Sequence, residues 1–324
     1  MNSALTDVPG FRVGHAQDRT AATGCTVVLC PPGTIGGLDI RGSAAGTRQT
    51  DSLLPSHFVD EVHAVVLSGG SAFGLDASGG VMKFLEEKEI GYQTSAAKVP
   101  IVPTAIIFDL GIGKGRVRPD PEMGYQACLQ SQAGPVEEGS VGVGTGATVG
   151  KLMGVSLATK GGVGTSSIIL PDRIVVAALV VVNAFGDVVD LKEGRILAGA
   201  RDPRDPSRFV DSAGLIKAGA PVRKPESAFQ NTTLGVVATN VKLSKRQAIK
   251  VAQMAQSGLA RTISPIHSTV DGDLIFALSA GDMQADVNAV GVMAAEAVAA
   301  SVIRAVRAAD GLGYLPSYRD LHKP

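Results

Sequence analysis

Tryptophan is absent, aromatic residues fill only 4% of the 324 positions, and cysteine occurs three times. A core without tryptophan must be built from Ala, Val, Ile and Leu. That favours tight small-residue packing and strands buried on both faces. Cys25, Cys30 and Cys128 are odd in number and lack metal-ligand spacing, so they read as buried small hydrophobes. Neither sign of charge is in excess: 30 Lys+Arg face 30 Asp+Glu. The basic stripe of a nucleic-acid binder is missing, and neutrality favours self-association into a homo-oligomer. The opening MNSALTDVPG has no charged n-region or apolar h-region. The longest apolar run, Ile174 to Val182, falls well short of the roughly 20 residues of a membrane span. A cytoplasmic chain without nucleic-acid or membrane partners is expected.

Glycine is abundant instead, with 40 residues or about 12%, against roughly 7% in ordinary proteins. No Gly-X-Y period accompanies it, which excludes collagen. With 45% hydrophobic and 19% charged residues, disorder is excluded too. The length suffices for a large core, as one big domain or two packed layers.

Buried strands are predicted at Cys25–Leu29, Ala64–Leu67, Ile174–Val182, Leu234–Thr239 and Asp273–Ser279, which are rich in β-branched residues and bounded by Gly, Pro, Asn or Asp. Helices are predicted over 73–88, 244–257 and 284–309. The second opens with the capping box Ser244-Lys-Arg-Gln247 and should close at Gly258. Strands and helices mix without strict βαβ alternation, so the class is α+β. Residues 200–230 carry Pro203, Pro206, Pro221 and Pro225 with scattered charge, and read as a loop or linker. It runs straight into a buried strand at Asn231-Thr-Thr.

Four motifs bear on chemistry. Gly144-Thr-Gly-Ala-Thr-Val-Gly150-Lys151 has one residue too many for a phosphate loop and Leu152 where Ser or Thr belongs. It reads as a tight turn, structural or presenting Lys151 to a site. Leu67-Ser-Gly-Gly70-Ser71-Ala-Phe-Gly fails the nucleophile-elbow pattern, because Phe73 replaces its last glycine. The amides at Gly70 and Ser71 are candidates for holding a substrate carboxylate or oxyanion. Asp271-Gly-Asp273, with His267 nearby, is a turn of solvated acids, a weak cation site or an orienting pair. Asn231-Thr232 offers an N-terminal nucleophile. If the chain is cut before Thr232, its new α-amine, with an ordinary pKa near 8, lies beside its own hydroxyl and serves as base.

Taken together, these motifs resemble the self-processing aminopeptidase/D-esterase/β-aminopeptidase family, which includes the 6-aminohexanoate (nylon) oligomer hydrolases. The likeness runs from Thr6-Asp-Val-Pro-Gly-Phe-Arg-Val-Gly-His15 through Thr23-Gly-Cys-Thr-Val-Val, Asp39-Ile-Arg-Gly and Leu67–Asp76. It continues through Gly142–Lys151 and Asn183-Ala-Phe-Gly186 to Asn231-Thr-Thr-Leu and Asp271-Gly-Asp273. The resemblance implies a four-layer αββα sandwich cut once between Asn231 and Thr232. The products are a larger fragment 1–231 and a smaller fragment 232–324. Thr232 is then the nucleophile, with Thr233 an adjacent competitor, and Asn183 stabilises the oxyanion. Lys151 matches a lysine of the oligoamide-hydrolysing branch, and Asp271 and Asp273 its paired acids. Phe108 falls near a family tyrosine, which removes a hydroxyl from the substrate pocket. No cofactor or metal is implied. The implied assembly is a tetramer of processed heterodimers, and the implied substrate a short peptide, β-peptide, D-amide or oligoamide. The rival readings are an acyltransferase using the same threonine, an uncleaved binding protein and a metal-dependent hydrolase.

Overall fold

Val175–Asn183 is buried at all nine positions in the computed structural model, which describes residues 2–222 and 231–322. Side chains alternate across a strand with a period of two. Val175, Ala177, Leu179 and Val181 therefore pack toward a facing sheet. Val176, Ala178, Val180 and Val182 pack toward helices. A strand with apolar partners on both sides has no need of polar alternation, which is why this run is continuously hydrophobic.

The strands of the two main sheets, in chain order, begin with β1 (Arg12–Asp18), β2 (Thr23–Leu29), β3 (Ile35–Ile40), β4 (Thr47–Arg48), β5 (Ala64–Ser68) and β6 (Thr104–Ile106). They continue with β7 (Gly162–Ile169), β8 (Val175–Asn183), β9 (Thr232–Val241) and β10 (Leu274–Met283). One sheet has the order β1-β2-β5-β6-β4 and the other β7-β8-β9-β10-β3. Helices α1 (Ala77–Glu87) and α2 (Pro121–Leu129) cover the first sheet, while α3 (Lys245–Thr262) and α4 (Val287–Ala308) cover the second. The result is the four-layer αββα sandwich. Its central layer joins Phe11, Leu67 and Val28 to Leu179, Leu234 and Phe276.

Pairing is antiparallel except for β5 with β6 and β9 with β10. Each parallel pair is joined through a helix, α1 or α3, as a parallel connection requires. By length and composition α4 could cross a bilayer, yet 67% of its most apolar window is buried in the fold.

Several predicted boundaries move. The helix predicted from residue 73 starts as a 3-10 turn, Ser71–Asp76, and becomes α-helical only at Ala77. Gly70 and Ser71 hold left-handed φ values of 78° and 53° in the sharp exit from β5. The last long helix begins at Val287, because the Asp286 carboxylate caps the Asn288 amide. The Ser244–Gln247 capping box is present, but the helix does not close at Gly258; it runs on to Thr262. Gly258 serves the contact with α4 instead. A Cβ there would meet Val298 at 2.8 Å and run into the Ala295 carbonyl.

The stretch predicted as a plain linker is partly structured. It contains a helix at Ser212–Lys217, and Arg201 pairs with Phe209. The buried Asp187 carboxylate anchors it by accepting from Ala200 N (2.9 Å), Ser212 N (2.8 Å) and Ser212 Oγ (2.9 Å). Residues 223–230 of that linker lie outside the described residues. Cys25 and Cys128 are buried as expected, whereas Cys30 is only partly so.

Gly258→Val should cost about 1–3 kcal/mol by overpacking the α3–α4 contact, read as a lower urea midpoint. An unchanged midpoint would remove this account of the glycine.

Candidate active site

Strand direction gathers the candidate residues. Because β8 and β9 are antiparallel, the end of β8 meets the start of β9, and Asn183 pairs directly with Thr232. Directly opposed side chains share a face with Cβ atoms roughly 5 Å apart. Because β9 and β10 are parallel, the residues just before β10 meet the start of β9, and Asn231 bridges Asp271. The glycine turn arrives through Lys151 N donating to Phe185 O (2.9 Å) and Gly150 N to Ala184 O (3.3 Å). Lys151, Asn183, Thr232, Asp271 and Asp273 are all buried.

Thr232 Oγ donates a hydrogen bond to the Asn231 carbonyl. Thr233 points the other way: alternation puts Thr232 with Leu234 and Val236 between the sheets, and Thr233 on the helix side. The Thr233 amide donates to Asp273 Oδ1 at 2.7 Å. Asp273 Oδ2 accepts from His267 N and meets His267 Nδ1, each at 3.0 Å. Asp271 accepts from Phe185 N (3.2 Å) and from Ser268 Oγ, so it braces the turn after Asn183. Burial, and then the neighbouring Asp273, push Asp271 up to about 6.

Asn183 is oriented unambiguously. Its Oδ1 accepts from Thr148 N (3.0 Å) and Lys151 Nζ (2.8 Å), which turns Nδ2 toward the Phe108 carbonyl at 3.3 Å. Lys151 Nζ also donates to Asn183 O (2.8 Å). Burial takes Lys151 from 10.5 down to about 7, against the pull of Asp271 and Asp273. A lysine in that range exchanges protons near neutral pH.

Phe108 lies beside this group: Phe108, Asp109, Gly146, Thr148 and Lys151 line a cleft of about 10 Å³, space for about one water. A far larger cleft of about 760 Å³ opens by Val175, Asn240 and Met283. It lies at the other end of β8, roughly 26 Å away at about 3.3 Å per residue. Volume therefore does not mark the chemistry here. Gly70 and Ser71 are not part of the group. The Gly70 amide donates to Asp109 Oδ1 (2.7 Å) and the Ser71 amide to Ile107 O (3.0 Å). Both amides are taken by the protein's own groups, a carboxyl and a main-chain carbonyl, which corrects the substrate-binding expectation for them. Among the described residues no three His, Cys, Asp or Glu side chains converge as a metal site would require.

Sequence reasoning did not single out Thr148, which holds Asn183, or Ser268, which holds Asp271. Thr148 sits inside the glycine-rich motif, but nothing in its spacing shows which strand end it will meet.

A family description, peptidase family S58, matches residues 3–314. The chain belongs to peptidase family S58. Its relatives in sequence include an uncharacterized aminopeptidase of Mycobacterium leprae, 43% identical over 98% of this chain and 93% of that protein. A 6-aminohexanoate-oligomer endohydrolase of a Kocuria species is 30% identical over 93% of this chain and 85% of that one. In structure, a β-aminopeptidase of a Burkholderia species superposes with a TM-score of 0.68 at 21% identity, covering 99% of this chain and 92% of that chain. The L-aminopeptidase D-Ala-esterase/amidase of Ochrobactrum anthropi, described as a variant of the Ntn hydrolase fold, gives 0.69 at 19% identity, covering 95% and 87%. This S58 member is a hydrolase of amide or peptide bonds.

The lowered lysine affects stability. Folded, Lys151 sheds its proton near pH 7; unfolded, it keeps it to about 10.5. The unfolded chain thus binds more protons between these values, and stability should rise with pH across them and not below. Lys160, also buried and lowered to about 7, adds to the rise. Lys151→Met should make the climb in urea midpoint from about pH 7 to about pH 10 shallower than in the wild type. An identical climb would contradict a lowered Lys151.

Proposed function

We propose that this S58 peptidase is an N-terminal-nucleophile amidohydrolase that cuts itself between Asn231 and Thr232 and then uses Thr232 as its nucleophile. The observation that carries the reading is the Thr232 hydroxyl, which faces the carbonyl of Asn231 inside the buried cluster of Asn183, Lys151, Asp271 and Asp273.

In self-cleavage the Thr232 Oγ–C bond forms to the Asn231 carbonyl carbon and the C–N bond breaks. The hydroxyl proton ends on the freed nitrogen, and water then hydrolyses the ester. No α-amine exists before the cut, so another base must take the hydroxyl proton first. Lys151, with a pKa near 7 and hydrogen-bonded to the residue paired with Thr232, suits that task.

In turnover the new α-amine takes the hydroxyl proton as Oγ attacks a substrate amide. Asn183 Nδ2 stabilises the oxyanion, Asp273 holds the Thr233 amide and so the start of β9, and Asp271 holds the turn that carries Asn183. Water releases the acyl group. The cut also vacates the acyl position, because the Asn231 carbonyl occupies the place a substrate carbonyl needs. The products are fragments 1–231 and 232–324, and the substrate is a short peptide or linear oligoamide, the classes named for the relatives. A homo-oligomer of processed chains in the cytoplasm completes the reading.

Intact-mass analysis of denatured wild-type protein should show two fragments meeting between Asn231 and Thr232. Thr232→Ala should show one intact chain and no amide hydrolysis; a Thr232→Ala protein that still cuts or turns over would refute the assignment. Asn183→Ala should lower kcat by about 10²–10³, measured on an aminoacyl p-nitroanilide with processed protein. A change confined to KM would deny Asn183 its part in the transition state.

A further inference from the structure

We propose that the backbone N–H of Gly272 is the oxyanion donor for self-cleavage, because it is hydrogen-bonded to the Asn231 carbonyl that Thr232 faces. The proposal rests on the self-cleaving reading above and adds a catalytic group to it.

Gly272 N donates to Asn231 O at 3.0 Å, and the Thr232 hydroxyl approaches the same oxygen. The residue at 272 must let two groups in at once. A Cβ there would stand 2.7 Å from Thr232 Oγ and 2.8 Å from the Ala44 carbonyl, closer than real Cβ atoms come. Glycine is therefore the residue that brings a main-chain amide onto the carbonyl while leaving room for the nucleophile beside it. The parallel register explains the crowding: position 272 lies opposite Thr232 and shares its face.

The donor is also rigidly placed. Ala44 N donates to Asp271 O (2.9 Å), and Arg41 N and Gly42 N donate to Asp273 O (2.9 and 3.1 Å). Asp273 Oδ1 holds the next amide of β9, that of Thr233. The segment Asp271-Gly272-Asp273 is thus clamped on one side by the chain after β3 and on the other by residues 231–233. An amide fixed in this way gives charge stabilisation without reorganising when charge develops. When Oγ adds to the carbonyl carbon, the π electrons move onto Asn231 O, and the Gly272 N–H meets the new negative charge. Collapse re-forms the carbonyl as an ester and expels the Thr232 nitrogen, which takes the proton lost by the hydroxyl. The donor is unchanged throughout.

The test replaces one amide by an ester, which removes the N–H and adds no side-chain atom. Full-length chain is made by cell-free translation with a suppressor tRNA carrying glycolic acid at position 272. In a control chain, lactic acid replaces Ala44, deleting the Ala44 N–H to Asp271 bond without touching the reacting carbonyl. Cleavage is followed as loss of the 324-residue band, and folding as resistance to trypsin. The 272 ester should fold and cleave about 10²–10³-fold more slowly than the wild type, while the Ala44 ester cleaves at close to the wild-type rate. Equal rates for the 272 ester and the wild type would overturn the proposal, as would equal slowing in both ester chains. Loss of trypsin resistance in the 272 chain alone would make the bond structural, and so would overturn it as well. A wild type that never cuts between Asn231 and Thr232 would instead overturn the self-cleaving reading itself.

Discussion

The register at one end of three neighbouring strands holds the candidate site together. Asn183 closes β8, Thr232 opens β9, and Asp271–Asp273 lead into β10. Hydrogen bonding between strands fixes these positions to within a residue, and a slip by one would turn every side chain to the opposite face. Thr232 would then face the helices and Thr233 the space between the sheets. Because β8 and β9 are apolar on both faces, it is the shape of the close-packed core and the hydrogen bonds from Phe185 N to Asp271 and from Thr233 N to Asp273 that oppose such a slip. The core that stabilises the fold is therefore also what aims the candidate nucleophile.

A second constraint is the burial of charge. Lys151, Lys160, Asp109, Asp187, Asp271 and Asp273 lie inside the sandwich, where an unpaired charge would be costly. Backbone groups supply most of the compensation. Lys160 donates to the carbonyls of Gly144, Ala147 and Gly161 at 3.0, 2.9 and 3.1 Å. Asp109 takes the Gly70 amide and the Thr23 hydroxyl, the latter at 2.7 Å. Such contacts need main chain to come close to side chain, which explains why so much glycine surrounds these residues and so little aromatic bulk. Residual desolvation leaves Lys151 near 7 and Asp271 near 6, both able to change protonation near neutral pH.

Much of the fold was legible from local pattern. The valine-rich run at 174–182 reads as a buried strand, and Ser244 with Gln247 as the start of a helix, and both are found. Gly258 misled because a glycine after an amphipathic stretch ends a helix as readily as it admits a neighbouring one. Its partners, Ala295 and Val298, lie nearly forty residues away. Gly70 and Ser71 misled for a similar reason: amides at the start of a helix can hold a substrate, and here the segment just after β6 takes both, Asp109 through its carboxyl and Ile107 through its carbonyl.

Chain composition and short motifs determined the apolar double-faced strands, the small-residue core and the set of chemically capable residues, because those depend on spacing along the chain. Which residues meet was decided only in three dimensions. Lys151 reaches Asn183 from thirty-two positions away, and Gly272 meets Asn231 across forty-one. The first closes because the glycine turn hydrogen-bonds to Ala184 and Phe185 just past the end of β8, the second because β9 and β10 run parallel. Strand order is set by how the whole core packs, and no segment of sequence carries that information by itself.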